Sequence, residues 1–105
     1  MKNILAFGAS SSANSINKAF ANYSSKQIPN SVTNLLDLND FEMPIFSIDK
    51  QNANGIPDEA QNFKKHISNS DAIIISFAEH NGSYTSAFKN ILDWISRIER
   101  IVLVW

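Results

Sequence analysis

Two short clusters hold the residue types best able to do chemistry. The first is "EHNGS", Glu79 to Ser83, where a carboxylate, an imidazole, a carboxamide and a glycine follow one another after an apolar run. Glu79, His80, Asn81 and Gly82 could meet a polar ligand there. A plainer reading is equally open: Asn81-Gly82 is a common turn dipeptide, Glu79 a solvated charge and His80 a packed ring. The second cluster is "GASSSANSIN", which gathers Ser10, Ser11, Ser12, Ser15 and Asn17 between a strand pattern and a helix pattern. Backbone N–H groups and the positive end of a helix point at such a loop, and short hydroxyl side chains donate without crowding, so it suits a phosphate. The competing account is a Ser-rich turn followed by an N-cap at Asn14 or Ser15.

Other chemistries fit poorly. The loop has one glycine and no Gly-Lys-Ser/Thr, so it is neither a Walker loop nor a dinucleotide fingerprint. Gly8 and Ser10 match the start of a G-x-S-x-G nucleophile elbow, but Ser12 stands where the last glycine belongs, and neither His66 nor His80 can be assigned as the base. The sequence contains no cysteine, which excludes disulfides, thiolate metal sites and a cysteine nucleophile. No residues are nominated as metal ligands.

The 105 residues carry a formal net charge of -1 with charges dispersed, so there is no basic footprint for nucleic acid. The opening "MKNILAFGASSS" is too short in its apolar run for an export signal, and no stretch reaches the roughly 18 apolar residues that span a bilayer. A single soluble cytoplasmic domain over residues 1–105 is the expectation, with no membrane and no nucleic-acid partner.

Hydrophobic patterning supplies the elements that must position the clusters. "NILAFG", Asn3 to Gly8, is a continuous apolar run that predicts a strand covered on both faces. Ile16, Ala19, Phe20 and Tyr23 recur at helical spacing and predict a helix from about Ser15 to Lys26. Ser31 to Leu38 reads as a more mixed strand suited to an edge. Asn39 to Pro57, broken by Pro44, Gly55 and Pro57, reads as irregular, with Met43 to Phe46 packing down on the sheet. From Asp58 a helix buries Ala60, Phe63 and Ile67. "DAIIISFA", Asp71 to Ala78, is the strongest strand signal, and Phe88, Ile91, Leu92 and Ile95 predict a last helix over about Thr85 to Glu99. Lys89 and Asp93 read as a surface pair on it, and Phe88 and Trp94 as core. Alternating strands and helices of this kind form a parallel α/β sheet with right-handed crossovers. Both clusters then fall at the carboxyl ends of strands, the rim where such sheets bind ligands.

Together these residues resemble the NAD(P)H-dependent FMN reductase family of flavodoxin-like proteins, which includes azoreductases and quinone reductases. The family's first loop has the form G-S-x-R-x-x-S-x-N; Ser10, Ser15 and Asn17 match it, while Ala9 stands at the Gly and Ser12 at the Arg. After its third strand the family has P-E-Y-N-G-S and a helix with L-K-N-x-x-D-W. Glu79, Asn81, Gly82, Ser83, Lys89, Asn90, Asp93 and Trp94 agree, with Ala78, His80 and Phe88 replacing Pro, Tyr and Leu. "LNDFEMPIFSID" is similar to the family's loop after strand two.

The resemblance implies a flavodoxin-like doubly wound parallel sheet, of strand order 2-1-3-4-5 in the family and truncated here after the third β-α unit. It implies FMN as cofactor and NAD(P)H as co-substrate. Ser10, Ser12, Ser15 and Asn17 would hold the phosphate, and Glu79, His80, Asn81 and Gly82 would lie beside the isoalloxazine. Hydride would pass from nicotinamide through the flavin to a quinone, an azo compound, a flavin or another small-molecule acceptor, with no catalytic side chain. Without an arginine at position 12, the helix terminus, the hydroxyls and Lys18 are left to neutralise the phosphate. "IVLVW", Ile101 to Trp105, reads as the start of a fourth strand, and the third strand would be an apolar edge that favours a homodimer. The alternative is a non-catalytic fragment that keeps the first half of the fold as an interaction module.

Overall fold

The central strand forms where the apolar run is longest. In the computed structural model, which describes residues 1–9, 16–77, 79–80 and 83–98, β1 spans Lys2–Ala9 and is buried from Ile4 to Ala9. It lies between two parallel neighbours, β2 (Ser31–Leu36) and β3 (Ala72–Phe77), in the order β2-β1-β3. Burial on both faces explains why β1 lacks the polar alternation of a half-wet strand. Among the described residues β2 is an edge strand, as its mixed composition predicts, and β3 flanks β1 on the other side. The register sets Ile4 beside Thr33 and Ala72, and Phe7 beside Leu36 and Ile75.

Side chains alternate across the sheet, so Leu5, Phe7 and Ala9 enter one core with Phe63 of α3 (Asp58–Ser68) and Phe88, Ile91, Trp94 and Ile95 of α4 (Ser86–Ile95). Phe7 meets the Phe63 ring edge-on at 5.4 Å and Phe88 at 5.8 Å, while Phe41 meets Phe63 at 5.0 Å. Such aromatic pairs add about 0.5–1.5 kcal/mol each beyond their buried area. Ala60 and Phe63 are buried as the helical spacing predicts, and Lys89 and Asp93 form the surface pair at 2.6 Å.

The opposite face carries α1 (Ile16–Lys26), and here the structure corrects the pattern. Ile16, Phe20 and Tyr23, whose spacing predicts the helix, are 85%, 61% and 66% exposed. The helix turns Ala21 and Ser25 to the sheet instead, both fully buried. Small residues let the helix axis come close to the strands, and that close approach pushes the bulky face outward. Ser25 is buried without penalty because its hydroxyl donates to the Asn22 carbonyl at 2.8 Å and accepts from Thr33 Oγ1 at 2.9 Å.

The segment read as irregular is not so. Leu38–Phe41 forms a 3-10 turn, and Ile48–Asn54 forms α2. Ser47 caps α2 by accepting from the Lys50 N–H, Asp49 lies in its first turn and Gly55 ends it at φ 75°. These capping signals are present in the sequence, but α2 buries no residue, so no apolar stripe announces it. Met43 and Phe46 do join the core, yet α4 rather than the sheet holds their loop. Asn90 accepts from the Phe46 N–H at 2.8 Å and donates to the carbonyls of Met43 and Pro44, and the Trp94 indole N–H donates to Pro44 at 2.8 Å.

Among the described residues no helix is long and apolar enough to cross a membrane. Asn14, Ser15 as N-cap and "IVLVW" lie outside the described residues.

Candidate functional site

The carboxyl ends of β1 and β3 lie side by side, with Gly8 paired to Ser76 and Ala9 to Phe77. β1 leads toward the Ser-rich loop and β3 toward the "EHNGS" cluster, so the sheet places the two clusters on one rim. Gly8 sets how the first is presented. A Cβ on Gly8 would lie 2.3 Å from the Lys18 backbone nitrogen and 2.6 Å from the Asn17 carbonyl carbon. The missing side chain thus lets the first turn of α1 rest directly on the end of β1.

Of the phosphate candidates, Asn17 is described. It lies half-buried in the first turn of α1, where its amide oxygen accepts from the Ser76 hydroxyl at 2.8 Å. An anion would therefore meet the NH2 end of that amide. Ser10, Ser12 and Ser15 lie outside the described residues. Lys18, counted as a compensating charge for a phosphate, is turned toward β2: its ammonium pairs with Asp37 Oδ2 at 3.0 Å.

Of the ring candidates, Glu79 and His80 form β4, which pairs antiparallel with β5 (Ser83–Tyr84). Glu79 is opposite Tyr84 and His80 opposite Ser83, so a two-residue connection separates the paired residues. Asn81 and Gly82 occupy it, and lie outside the described residues.

Sequence reasoning missed the groups that join the two clusters. Thr85, only 8% exposed, caps α4 by accepting from the Phe88 N–H at 3.3 Å and donates its hydroxyl hydrogen to the Ala9 carbonyl at 2.8 Å. Ser76 is the other. Its signal was available, as the one hydroxyl in the apolar run "AIIISF", whereas the contact of Thr85 with Ala9 spans 76 positions and had none.

Asp37 braces the neighbouring corner. One carboxylate oxygen accepts from the Asn39 backbone N–H at 2.9 Å and the other from Lys18 at 3.0 Å. The backbone hydrogen bond first, then Lys18, lower its pKa below the ordinary 3.8. A lowered folded value means that the ionised group stabilises the fold fully above about pH 4, and that this is lost as the pH falls through the lower folded value. Asp37→Ala should cost about 1 kcal/mol at pH 7 and flatten the acid limb of the unfolding curve, which urea titrations at pH 7 and pH 3 will read. Equal losses at both pH values would refute the assignment.

Beyond this corner a groove of about 270 Å³ opens between the 3-10 turn and the first turns of α4. Leu38, Phe41, Met43, Ala87 and Ile91 give it apolar walls, with Asn39 and Ser86 among its polar groups. No group of three or more potential metal ligands occurs among the described residues.

A parallel sheet in the order β2-β1-β3 with helices on both faces is a flavodoxin-like α/β fold. The flavoenzyme FerB, an NAD(P)H:(acceptor) oxidoreductase from Paracoccus denitrificans, superimposes with a TM-score of 0.69 and 26% identity, over 92% of this chain and 52% of its own. The chain belongs to the NADPH-dependent FMN reductase family, whose pattern it matches over residues 2–103. A quinone reductase of Escherichia coli K12 is 30% identical over 57 residues, 54% of this chain and 30% of the relative. A 2-hydroxy-1,4-benzoquinone reductase of Burkholderia sp. is 36% identical over 55 residues, 52% of this chain and 29% of the relative. These matches thus cover about half of the flavoenzyme and about a third of the two quinone reductases.

The residues present fit a phosphate-bearing cofactor in one direct respect. The close approach that Gly8 permits brings the first turn of α1 and the Asn17 amide against the carboxyl ends of β1 and β3.

Proposed function

We propose that this chain carries the FMN site of an NAD(P)H-dependent oxidoreductase. Ser10, Ser12, Ser15 and Asn17 take the phosphate side, and Glu79, His80, Asn81 and Gly82 the ring side. The observation that carries the reading is that the first cluster is tied to the residues on either side of the second: Asn17 to Ser76 and Ala9 to Thr85, each by a hydrogen bond of 2.8 Å. When bound, FMN supplies the two-electron chemistry that carries hydride from NAD(P)H to an acceptor. The chain's part is to bind and orient. Helix N–H groups and the Asn17 NH2 meet the phosphate, with the Lys18 charge directed to Asp37.

A quinone is the acceptor we favour, since the relatives named above are quinone reductases and an apolar groove opens beside the same rim. A homodimer or larger assembly is part of the same proposal, for which the partly exposed Ile73 and Phe77 of β3 offer apolar surface.

The test is to purify the chain with excess FMN, remove free flavin, and record the visible spectrum, the mass by light scattering and the quinone-dependent oxidation of NADPH. Retained flavin near one per chain, an oligomeric mass and NADPH oxidation that needs the quinone are the expected results. A colourless protein without turnover overturns the enzymatic reading and leaves the interaction module.

A further inference from the structure

We propose that Ser76 and Thr85 form a two-point clamp that fixes the separation of the two halves of the cofactor site, so that both are positioning residues for FMN. This rests on the flavin reading above. The loop that follows Ala9 returns to the sheet at α1, and each of its roots is tied to the segment that bears the ring cluster. The root before it is held by Thr85, whose hydroxyl donates to the Ala9 carbonyl, and the root after it by Ser76, whose hydroxyl donates to Asn17.

The two ties act from opposite faces of the sheet. Ser76 shares the α1 face with Gly8, whereas Thr85 reaches Ala9 from the buried core at the start of α4. A hinge about one tie is therefore blocked by the other. Thr85 is held on both sides, because the oxygen that donates to Ala9 also caps α4. The hairpin β4–β5 spans the interval between the two hydroxyls along the chain. Neither hydroxyl needs to touch the cofactor. Each sets where a group that does touch it will stand.

A ligand that contacts both halves must feel the clamp, and one that contacts the ring half alone must not. FMN and riboflavin differ by the phosphate, so their affinity ratio reports the separation directly. Ser76→Ala and Thr85→Val should each weaken FMN about tenfold, the equivalent of about 1.4 kcal/mol, or roughly one hydrogen bond. Riboflavin binding should change by less than about twofold. Thr85→Ser, which keeps both the cap and the bond to Ala9, should restore FMN binding. Fluorescence titration of the full chain with each flavin gives these constants.

Ser76→Ala disturbs no cap, so it guards against a variant that merely unfolds α4. Parallel loss of both flavins, or unchanged FMN affinity in Ser76→Ala, would overturn the clamp. If the parent protein binds neither flavin, the function reading fails instead. The clamp is then read by amide hydrogen exchange, where Ser76→Ala should speed exchange together in the first turns of α1 and the end of β3. Unchanged exchange at both would refute it.

Discussion

Replacing Gly8 by alanine is expected to destabilise the fold by about 3 kcal/mol, the upper end for overpacking a tight site. The size follows from what the new methyl group would meet. The atoms at 2.3, 2.6 and 2.8 Å are the backbone of Asn17 and Lys18, not the ends of side chains that could swing away. Relief requires the start of α1 to lift off β1. That movement would pull Asn17 from Ser76 and loosen the packing of Ala21 on the sheet. Two readouts should therefore move together, the urea midpoint of the cofactor-free chain and its affinity for FMN. An unchanged midpoint would show that the helix start can yield without cost. Gly55 serves for the other reason a chain needs glycine: its φ is 75°, yet nothing lies within 4 Å of where a Cβ would stand.

The second large effect is at Trp94. Trp94→Ala is expected to cost about 3–5 kcal/mol, the range for deleting a large buried aromatic, a sizeable share of the roughly 5–15 kcal/mol that holds a domain folded. The indole is 1% exposed, meets Phe46 edge-on at 5.0 Å and donates to the Pro44 carbonyl at 2.8 Å. Its loss opens a cavity under the loop that carries Met43 to Phe46, leaving Asn90 as the remaining polar anchor of that loop. Trp94→Phe keeps part of the packing and loses the hydrogen bond, and should recover more than half of the stability. Circular dichroism during urea unfolding avoids the missing tryptophan signal. A loss below about 1 kcal/mol, the scale of a single net hydrogen bond, would show that the loop is not anchored there.

The positions of these two residues show what could be read in advance. The order of strands and helices was legible because β1 and β3 are long apolar runs and α3 and α4 carry clear stripes toward the core, as in Phe63 with Ala60 and Phe88 with Ile91. α2 escaped because it buries nothing, so only its caps could have marked it. On α1 the stripe was real but misleading. Ile16, Phe20 and Tyr23 mark the helix while Ala21 and Ser25 pack it, since residue size decides how close a helix may come, and hydropathy does not report that distance.

The two polar clusters were visible as residue types, and their spacing carried the family likeness that the match over residues 2–103 bears out. By itself the sequence determined the fold class, the family and the fact that both clusters terminate strands, because these depend on local pattern along the chain. Only the tertiary structure decided which groups tie the clusters together. The contacts of Thr85 with Ala9, Ser76 with Asn17 and Lys18 with Asp37 join residues 76, 59 and 19 positions apart. No periodicity encodes such pairs. They arise when parallel strands bring their carboxyl ends into register, and the Ser76 hydroxyl, ordinary in the sequence, then stands 2.8 Å from the Asn17 amide oxygen.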